Sequence, residues 1–154
     1  MQPFPHRYVA TAKASANTDV ELGGPGLSVL HSASPTEFGG PGDRWSPETL
    51  LTAAVGDCLI LTFRAVARAS GLAWNSIQCD VTGTLDRVER TTRFVAFELR
   101  ARLHVPAGTD PVRATQVLEK AERGCLIANS LSAEIRLIPS IEVAAEQVNA
   151  LTSV

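Results

Sequence analysis

Three cysteines are the residues of this sequence whose side chains could act as nucleophiles: Cys58, Cys79 and Cys125. They lie far apart, none belongs to a Cys-x-x-Cys pair, and the three histidines are isolated from them, so the spacing does not indicate a zinc site. So few cysteines do not indicate a secreted disulfide framework either. We therefore expect free thiols in a reducing, cytoplasmic compartment, where any disulfide would be transient and serve redox chemistry.

A reactive cysteine needs a neighbour that stabilises its thiolate, because an ordinary thiol with a pKa of about 8.5 is scarcely ionised at neutral pH. Cys125 follows Gly124 at a predicted helix start, where free backbone N–H groups would favour the thiolate. Cys58 lies inside a predicted apolar helix and would need a nearby cation. Cys79 lies inside a predicted strand, and we expect it to be inert. For each cysteine the alternative is a buried, unreactive small side chain.

Glu48 is a candidate partner of Cys58. It stands ten residues earlier in the same predicted helix, which is close to three turns, so the two side chains project within about 80° of each other around the axis. They could therefore face one cavity. The alternative is that Glu48 only complements the helix dipole in the first turn.

The helix that must position these residues is predicted over 46–71. Ser46 suits the N-cap, Pro47 suits the first helical position, and Gly71 suits the C-terminal stop. The apolar residues recur at three- and four-residue steps but spread beyond one face, so the helix should lie in the middle of a structure or between two subunits. One antiparallel sheet can cover only one side of it, so we expect a dimer to bury the other.

The remaining elements are predicted from alternation and turn residues. Strands are expected at 7–14, 27–32, 74–88, 93–105 and 133–143, with residues 89–92 linking the third and fourth. Asp110 should cap a second helix over 111–123, and a short helical turn should follow over 125–131. This order predicts an α+β fold, as a single domain over 1–154: strands and loops in 1–45, the central helix, the elements of 74–143, and a tail over 144–154 that could be helical.

Composition excludes several classes of protein. Of 154 residues, 45% are hydrophobic and only 19% are charged, against about 25% charged in a typical domain, which favours association. The net charge of -2 offers no cationic surface for phosphates, so nucleic-acid binding is not expected. Since no run approaches the roughly 18 apolar residues of a membrane span, we expect no membrane segment.

Two cysteine motifs resemble those of the OsmC/Ohr family. The run from Ser46 to Cys58 is similar to a family signature in which Asn/Ser-Pro-Glu precedes a cysteine. Residues 121–131, Ala-Glu-Arg-Gly-Cys-Leu-Ile-Ala-Asn-Ser-Leu, resemble the family's second motif, usually Cys-Pro followed by Ser. The cysteines of the two motifs are 67 residues apart, and the order of elements also matches over nearly the whole chain.

The resemblance implies an intertwined homodimer, in which antiparallel sheets wrap around two central helices and two active sites lie at the subunit interface. It also implies a thiol peroxidase that reduces organic hydroperoxides. Cys58 would be the nucleophile, Cys125 the resolving cysteine, and Glu48 the carboxylate that orients an arginine beside the thiolate. No metal or organic cofactor is implied, because electrons come from a dithiol reductant, in some members a lipoylated protein.

The sequence departs from the family pattern in its arginines. Glu37 stands where related sequences carry a loop arginine, and the N-terminal Gly-Gly-Arg of other members is absent. Arg44 is the nearest substitute, with a solvated loop cation as its alternative role. Leu126 also replaces the usual proline.

These departures favour a second reading, a non-catalytic OsmC-like stress-response protein that binds a small lipophilic ligand at the dimer interface. A third reading, a hydrolase with Cys58 as acyl acceptor, requires a histidine partner. His31 and His104 lie on predicted strands, and nothing in the sequence brings either to the thiol.

Overall fold

The computed structural model describes residues 2–146. The chain divides after Leu51 into two compact units, 1–51 and 52–154, which we call the N-terminal and the C-terminal unit. The described elements are β1 (Thr11–Lys13), β2 (Val20–Gly23), β3 (Leu30–Ser32), a 3-10 turn (Thr36–Phe38), α1 (Pro47–Ser70), β4 (Ser76–Val88), β5 (Thr91–Val105), α2 (Pro111–Arg123), α3 (Leu126–Asn129) and β6 (Glu134–Val143). The α+β class is thereby confirmed, while the single domain stays a prediction.

The N-terminal unit carries a small antiparallel sheet in the order β1-β2-β3. Its strands are shorter than the expected 7–14 and 27–32, and the sequence did not predict β2. The reason is pairing: β2 is four residues long, too short for a periodic signal, and it offers β1 partners only from Thr11 to Lys13. Residues 7–10 therefore have the alternation of a strand without a neighbouring strand to bond.

Helix α1 begins where the sequence predicts. The Thr49 N–H donates to Ser46 Oγ at 3.2 Å, and the Ser46 N–H donates to Thr49 Oγ1 at 2.8 Å. Each residue thus satisfies a backbone N–H of the other, as in a capping box with threonine in place of glutamate. Gly71 adopts a left-handed φ of 62°, which glycine reaches without steric cost and which ends the helix.

The C-terminal unit is built on a sheet in the order β4-β5-β6. Strands β4 and β5 form a hairpin whose connection is the two residues Glu89 and Arg90, with φ of 49° and 70°. The link is therefore two residues shorter than the expected 89–92, and β5 begins at Thr91 instead of residue 93. Strand β6 pairs with β5 in parallel. The expectation of wholly antiparallel sheets is therefore wrong for this sheet, because the chain crosses over through two helices before it returns to β5.

The core of the C-terminal unit is built from one stripe of α1, the buried face of β5 and one face of α2. The Val112 N–H donates to Asp110 Oδ1 at 2.9 Å, so the predicted cap of α2 is confirmed. Fully burying a large apolar side chain contributes about 1.5–3 kcal/mol, so these helices are firmly held. The buried apolar residues are Val55, Leu59, Phe63 and Ala67 on α1, Phe97, Leu99, Ala101, Leu103 and Val105 on β5, and Ala114, Val117, Leu118 and Ala121 on α2.

Much of α1 is not covered by the part of the chain that the structure describes. An 18-residue window of it has a mean hydropathy of 1.7 and is 28% buried, and Leu61 is 52% exposed. By length and composition alone the helix could cross a membrane, so the expectation that no stretch qualifies is wrong. A core helix of a soluble protein passes the same test, and the dimer stays a prediction.

The expected tail over 144–154 falls mostly outside the described residues. Ala144–Glu146 have no regular structure, and the possible helix over 147–154 lies beyond the part of the chain that the structure describes.

Candidate active site

Two of the three cysteines meet in the C-terminal unit. Cys58 lies in the middle of α1, and Cys125 is the N-cap residue of α3. Each thiol affects the pKa of the other, and both cysteines are free rather than joined in a disulfide. The fold that brings them together is the packing of α1 against the connection between α2 and α3.

The sulfur of Cys58 receives hydrogen bonds from several directions. The Ile127 N–H donates to Cys58 Sγ at 3.5 Å, and Thr62 Oγ1 lies 4.0 Å from the same sulfur. Burial raises the pKa of the Cys58 thiol, but hydrogen bonds from Ile127, Cys125, Thr62 and Leu126 outweigh it and hold the pKa below its ordinary value. Cys58 is therefore the thiol of this pair that ionises first.

Cys125 has the opposite character. Its side chain is 1% exposed, and burial, together with the neighbouring Cys58, raises the pKa of its thiol to about 11. The expectation that the helix start would ionise Cys125 is therefore wrong. The Ala128 and Ile127 N–H groups at the start of α3 do lower the pKa of Cys125, but burial outweighs them. The Ile127 N–H also donates to Cys58.

Cys79 lies on β4, half-buried, beside a cavity of about 340 Å³. Burial raises the pKa of its thiol to about 11, with smaller contributions from the carboxylate of Asp80 and from Cys125. A protonated thiol is a poor nucleophile, which agrees with the expectation that Cys79 is inert. The cavity is lined by Thr52, Ala53, Gly56, Asp57, Ile60, Cys79 and Val81.

The other two predicted site residues lie in the N-terminal unit. Arg44 donates through Nε to Asp19 Oδ2 at 3.0 Å, and its Nη1 lies 2.8 Å from Asp43 Oδ2. The Asp19 and Asp43 carboxylates raise the pKa of the Arg44 guanidinium, so the predicted cation is already balanced by two acids. Glu48 lies in the first turn of α1, and one of its carboxylate oxygens is shielded from solvent. The roles of both residues toward Cys58 stay predictions.

Two functional contacts escaped the sequence reasoning. The Ile127 N–H belongs to the backbone, so no residue type signals it. Thr62 could have been found, because it follows Cys58 by four positions in a helix and so shares its face. The apolar side chains of Leu126 and Ile127, at the start of α3, are 74% and 37% exposed.

The described residues hold no metal cluster, and His104, the histidine of the described part of the C-terminal unit, lies beside a carboxylate. Within residues 2–146, no group of three or more His, Cys, Asp or Glu residues is placed to hold a metal ion. His104 is on β5 with its Nδ1 3.2 Å from Glu142 Oε2 on β6, and His31 is on β3 of the N-terminal unit. Nothing in these contacts supports a hydrolase.

Comparison with known proteins gives a consistent family. The OsmC-like protein family matches residues 40–140. The chain is 24% identical over 146 residues to the uncharacterized protein YmaD of Bacillus subtilis, covering 92% of this chain and 97% of YmaD. It is 28% identical over 92 residues to the peroxiredoxin OsmC of Escherichia coli, covering 60% of this chain and 64% of that protein.

A solved structure of a protein named organic hydroperoxide resistance protein OsmC, from Legionella pneumophila, superposes with a TM-score of 0.66 at 25% identity. The match covers 92% of this chain and 100% of that one. The fold is therefore that of OsmC/Ohr proteins. Because the family match extends over both cysteine motifs and most of the elements described above, this chain belongs to the OsmC-like protein family.

Proposed function

We propose that this protein is a thiol-dependent peroxidase that reduces organic hydroperoxides to alcohols. The observation that carries the proposal is the pairing of Cys58, whose pKa is lowered by hydrogen bonds, with the buried, protonated Cys125 beside it. Peroxide reduction by thiols needs both parts: a thiolate that attacks, and a second thiol that resolves the product. The names of the relatives from Escherichia coli and Legionella pneumophila add support.

The reaction starts at the Cys58 sulfur. The thiolate attacks the distal oxygen of the hydroperoxide, the O–O bond breaks, and the alkoxide leaves as an alcohol after taking up a proton. Cys58 is thereby oxidised by two electrons to a sulfenic acid. The Ile127 N–H that donates to this sulfur stabilises its negative charge before the attack.

The second step uses Cys125. Its sulfur attacks the sulfenic acid, water leaves, and a Cys58–Cys125 disulfide forms, which prevents oxidation to the irreversible sulfinic and sulfonic acids. An external dithiol, which we propose to be a small dithiol or a lipoylated protein, then returns two electrons and two protons. The chemistry requires no metal or organic cofactor.

The assembly and the location are part of the same proposal. The uncovered face of α1, with Leu61 exposed, supports a homodimer in which a second copy covers this helix. Free thiols that cycle through a transient disulfide suit the cytoplasm. We also propose that the two compact units act as one domain, in which Glu48 supports the site.

Peroxide consumption tests the activity directly. The reduced protein with dithiothreitol should consume cumene hydroperoxide or t-butyl hydroperoxide faster than hydrogen peroxide. Cys58→Ser should abolish this consumption, whereas the matched control Cys79→Ser should retain it. A Cys58→Ser protein that consumes the hydroperoxides as fast as the parent would refute the proposal.

One observation favours a second function, a non-catalytic protein that binds a small lipophilic ligand. The predicted cation Arg44 is already held by two carboxylates, so it does not offer a free charge for peroxide chemistry. Under this alternative, mild peroxide would produce no disulfide, and the pKa of Cys58 measured by alkylation would equal that of an ordinary thiol.

A further inference from the structure

The hydroxyl of Thr62 is a contact of the reacting sulfur that neither the family motifs nor the proposed function assigns. Thr62 lies one turn after Cys58 on α1, and its Oγ1 is 4.0 Å from Sγ. We infer that Thr62 is a positioning residue, which holds the Cys58 sulfur by donating its hydroxyl proton and takes over part of the work of a side-chain cation. A role in catalysis rests on the proposed function, but the stabilisation of the Cys58 thiolate by Thr62 does not.

Packing fixes the direction of the hydroxyl. A threonine in a helix has two favoured χ1 rotamers, one of which turns the hydroxyl to the preceding turn of backbone. Here the methyl group, Cγ2, lies against Gly124, 3.4 Å from the point that a Cβ at that position would occupy. With its methyl group against the residue before Cys125, Thr62 presents its oxygen to Cys58.

The Thr62 hydroxyl matters because the groups that stabilise the Cys58 thiolate are neutral. Within the described part of the C-terminal unit, the groups that lower the pKa of the Cys58 thiol are Ile127, Cys125, Thr62 and Leu126, and none of them carries a positive charge. Cys125 is the titratable neighbour among them, and it stays protonated at neutral pH because its pKa is about 11. The thiolate is therefore stabilised by neutral donors. The Thr62 hydroxyl is one of them, and a valine at this position removes it while keeping the shape of the side chain.

The distance between Thr62 Oγ1 and Cys58 Sγ is consistent with a site that holds no substrate. A distance of 4.0 Å is long even for a hydrogen bond to sulfur, but catalytic hydrogen bonds are often long in the free enzyme and tighten when charge develops. When Cys58 loses its proton, the Thr62 O–H can point at the thiolate from α1 while the Ile127 N–H points at it from α3. The two donors lie on different elements, so together they fix the direction in which the sulfur can attack.

The experiment compares Thr62→Val with Thr62→Ser in the otherwise native chain. Valine keeps the shape and removes the hydroxyl, whereas serine keeps the hydroxyl and removes the methyl group. Alkylation of Cys58 by iodoacetamide is followed peptide by peptide between pH 5 and pH 10, and kcat/KM for cumene hydroperoxide is measured at pH 7. Thr115→Val on α2, whose hydroxyl donates to Pro111 O, is the matched control.

We expect Thr62→Val to raise the apparent pKa of Cys58 by about half a unit to one unit, which is a loss of about threefold to tenfold in thiolate at pH 7. The value of kcat/KM should fall by a similar factor. Thr62→Ser should stay within about twofold of the parent, and Thr115→Val should not change the alkylation profile. A Thr62→Val profile that superposes on the parent, or a Thr62→Ser profile as displaced as that of valine, would overturn the inference.

Failure of the inference and failure of the proposed function can be told apart. Alkylation does not require peroxidase activity, so a displaced Thr62→Val profile supports the inference even if the parent does not reduce peroxides or Cys58→Ser reduces them as fast as the parent. A normal Thr62→Val profile beside an inactive Cys58→Ser overturns the inference and leaves the peroxidase in place.

Discussion

Cys58 on α1 and Cys79 on β4 have the same side chain, and both are half-buried in the C-terminal unit, yet their surroundings favour opposite protonation states. Burial raises the pKa of both thiols. At Cys58, hydrogen bonds from Ile127, Cys125 and Thr62 reverse the effect, whereas at Cys79 the nearby carboxylate of Asp80 adds to it. The difference teaches that donors aimed at the sulfur, together with lighter burial, favour the thiolate of Cys58 over that of Cys79.

The largest expected effect is the selectivity of alkylation. At pH 7.5, a thiol of pKa about 11 carries about 300-fold less thiolate than one of pKa about 8.5. The greater intrinsic nucleophilicity of the more basic thiolate recovers about tenfold. We therefore expect iodoacetamide to label Cys58 at least about 20-fold faster than Cys79, as measured by mass spectrometry of the labelled peptides.

The pH dependence supplies the control for this selectivity. Labelling of Cys79 should keep rising by about tenfold per pH unit up to about pH 10, while labelling of Cys58 levels off earlier because its pKa is lowered. Equal rates for the two cysteines at pH 7.5, or parallel pH profiles, would show that the hydrogen bonds do not distinguish them.

The second effect concerns the partner of Cys58. After one equivalent of t-butyl hydroperoxide, the parent should lose about 2 Da and link Cys58 to Cys125, with Cys79 still free. In Cys125→Ser, the sulfenic acid has no resolving thiol, so we expect irreversible inactivation by excess peroxide to be about tenfold faster. Cys79→Ser is the control and should be inactivated at the rate of the parent. If Cys79→Ser is inactivated faster, Cys79 and not Cys125 is the resolving cysteine.

Sequence reasoning identified the two thiols and the elements that carry them but not the hydrogen-bond donors around Cys58. Ser46, Asp110 and Gly71 are local signals, because a cap depends on residues within one turn, and the helices they bound are correct. The parallel pairing of β6 with β5 depends on a crossover of distant segments, so alternation in either strand could not reveal it. Ile127 was missed for the same reason, since it is 69 residues away from Cys58, whereas Thr62 is only four residues away and was a local signal that went unused.

A third, smaller effect is on stability at high pH. Because folding raises the pKa of Cys79 to about 11, the folded chain binds this proton more tightly than the unfolded chain, whose thiol has a pKa of about 8.5. The contribution to stability is complete below about pH 8.5 and is lost as the pH rises through about 11. Cys79→Val should therefore reduce the decline in the free energy of unfolding between pH 8 and pH 10.5.

Urea unfolding under reducing conditions measures this difference at the two pH values. Only the change between parent and variant is informative, since other groups titrate in both proteins. A decline that is as steep in Cys79→Val as in the parent would mean that the Cys79 thiol titrates normally in the folded state.

The smallest expected effect is that of Arg44 on the rate of Cys58 alkylation. Arg44 belongs to the N-terminal unit, so this variant tests whether donors of the C-terminal unit are enough to distinguish Cys58 from Cys79. If neutral donors at the sulfur are sufficient, Arg44→Gln should change the rate of Cys58 alkylation at pH 7 by less than about twofold. The physical reason is that the Arg44 side chain is 43% exposed, so solvent screens the change in charge that the substitution makes. Asp19→Asn is the informative partner variant, because it releases one of the two acids and leaves the cation.

A fall of tenfold or more in Arg44→Gln would instead identify this arginine as the cation that the family resemblance predicts. Cys58 would then depend on both units of the chain, and Thr62 would be an auxiliary donor. A rise in alkylation in Asp19→Asn, with no change in Arg44→Gln, would mean that the arginine is able to act on the thiolate but is held back by its carboxylates. The unchanged profile of both variants is what a site activated by Ile127 and Thr62 requires.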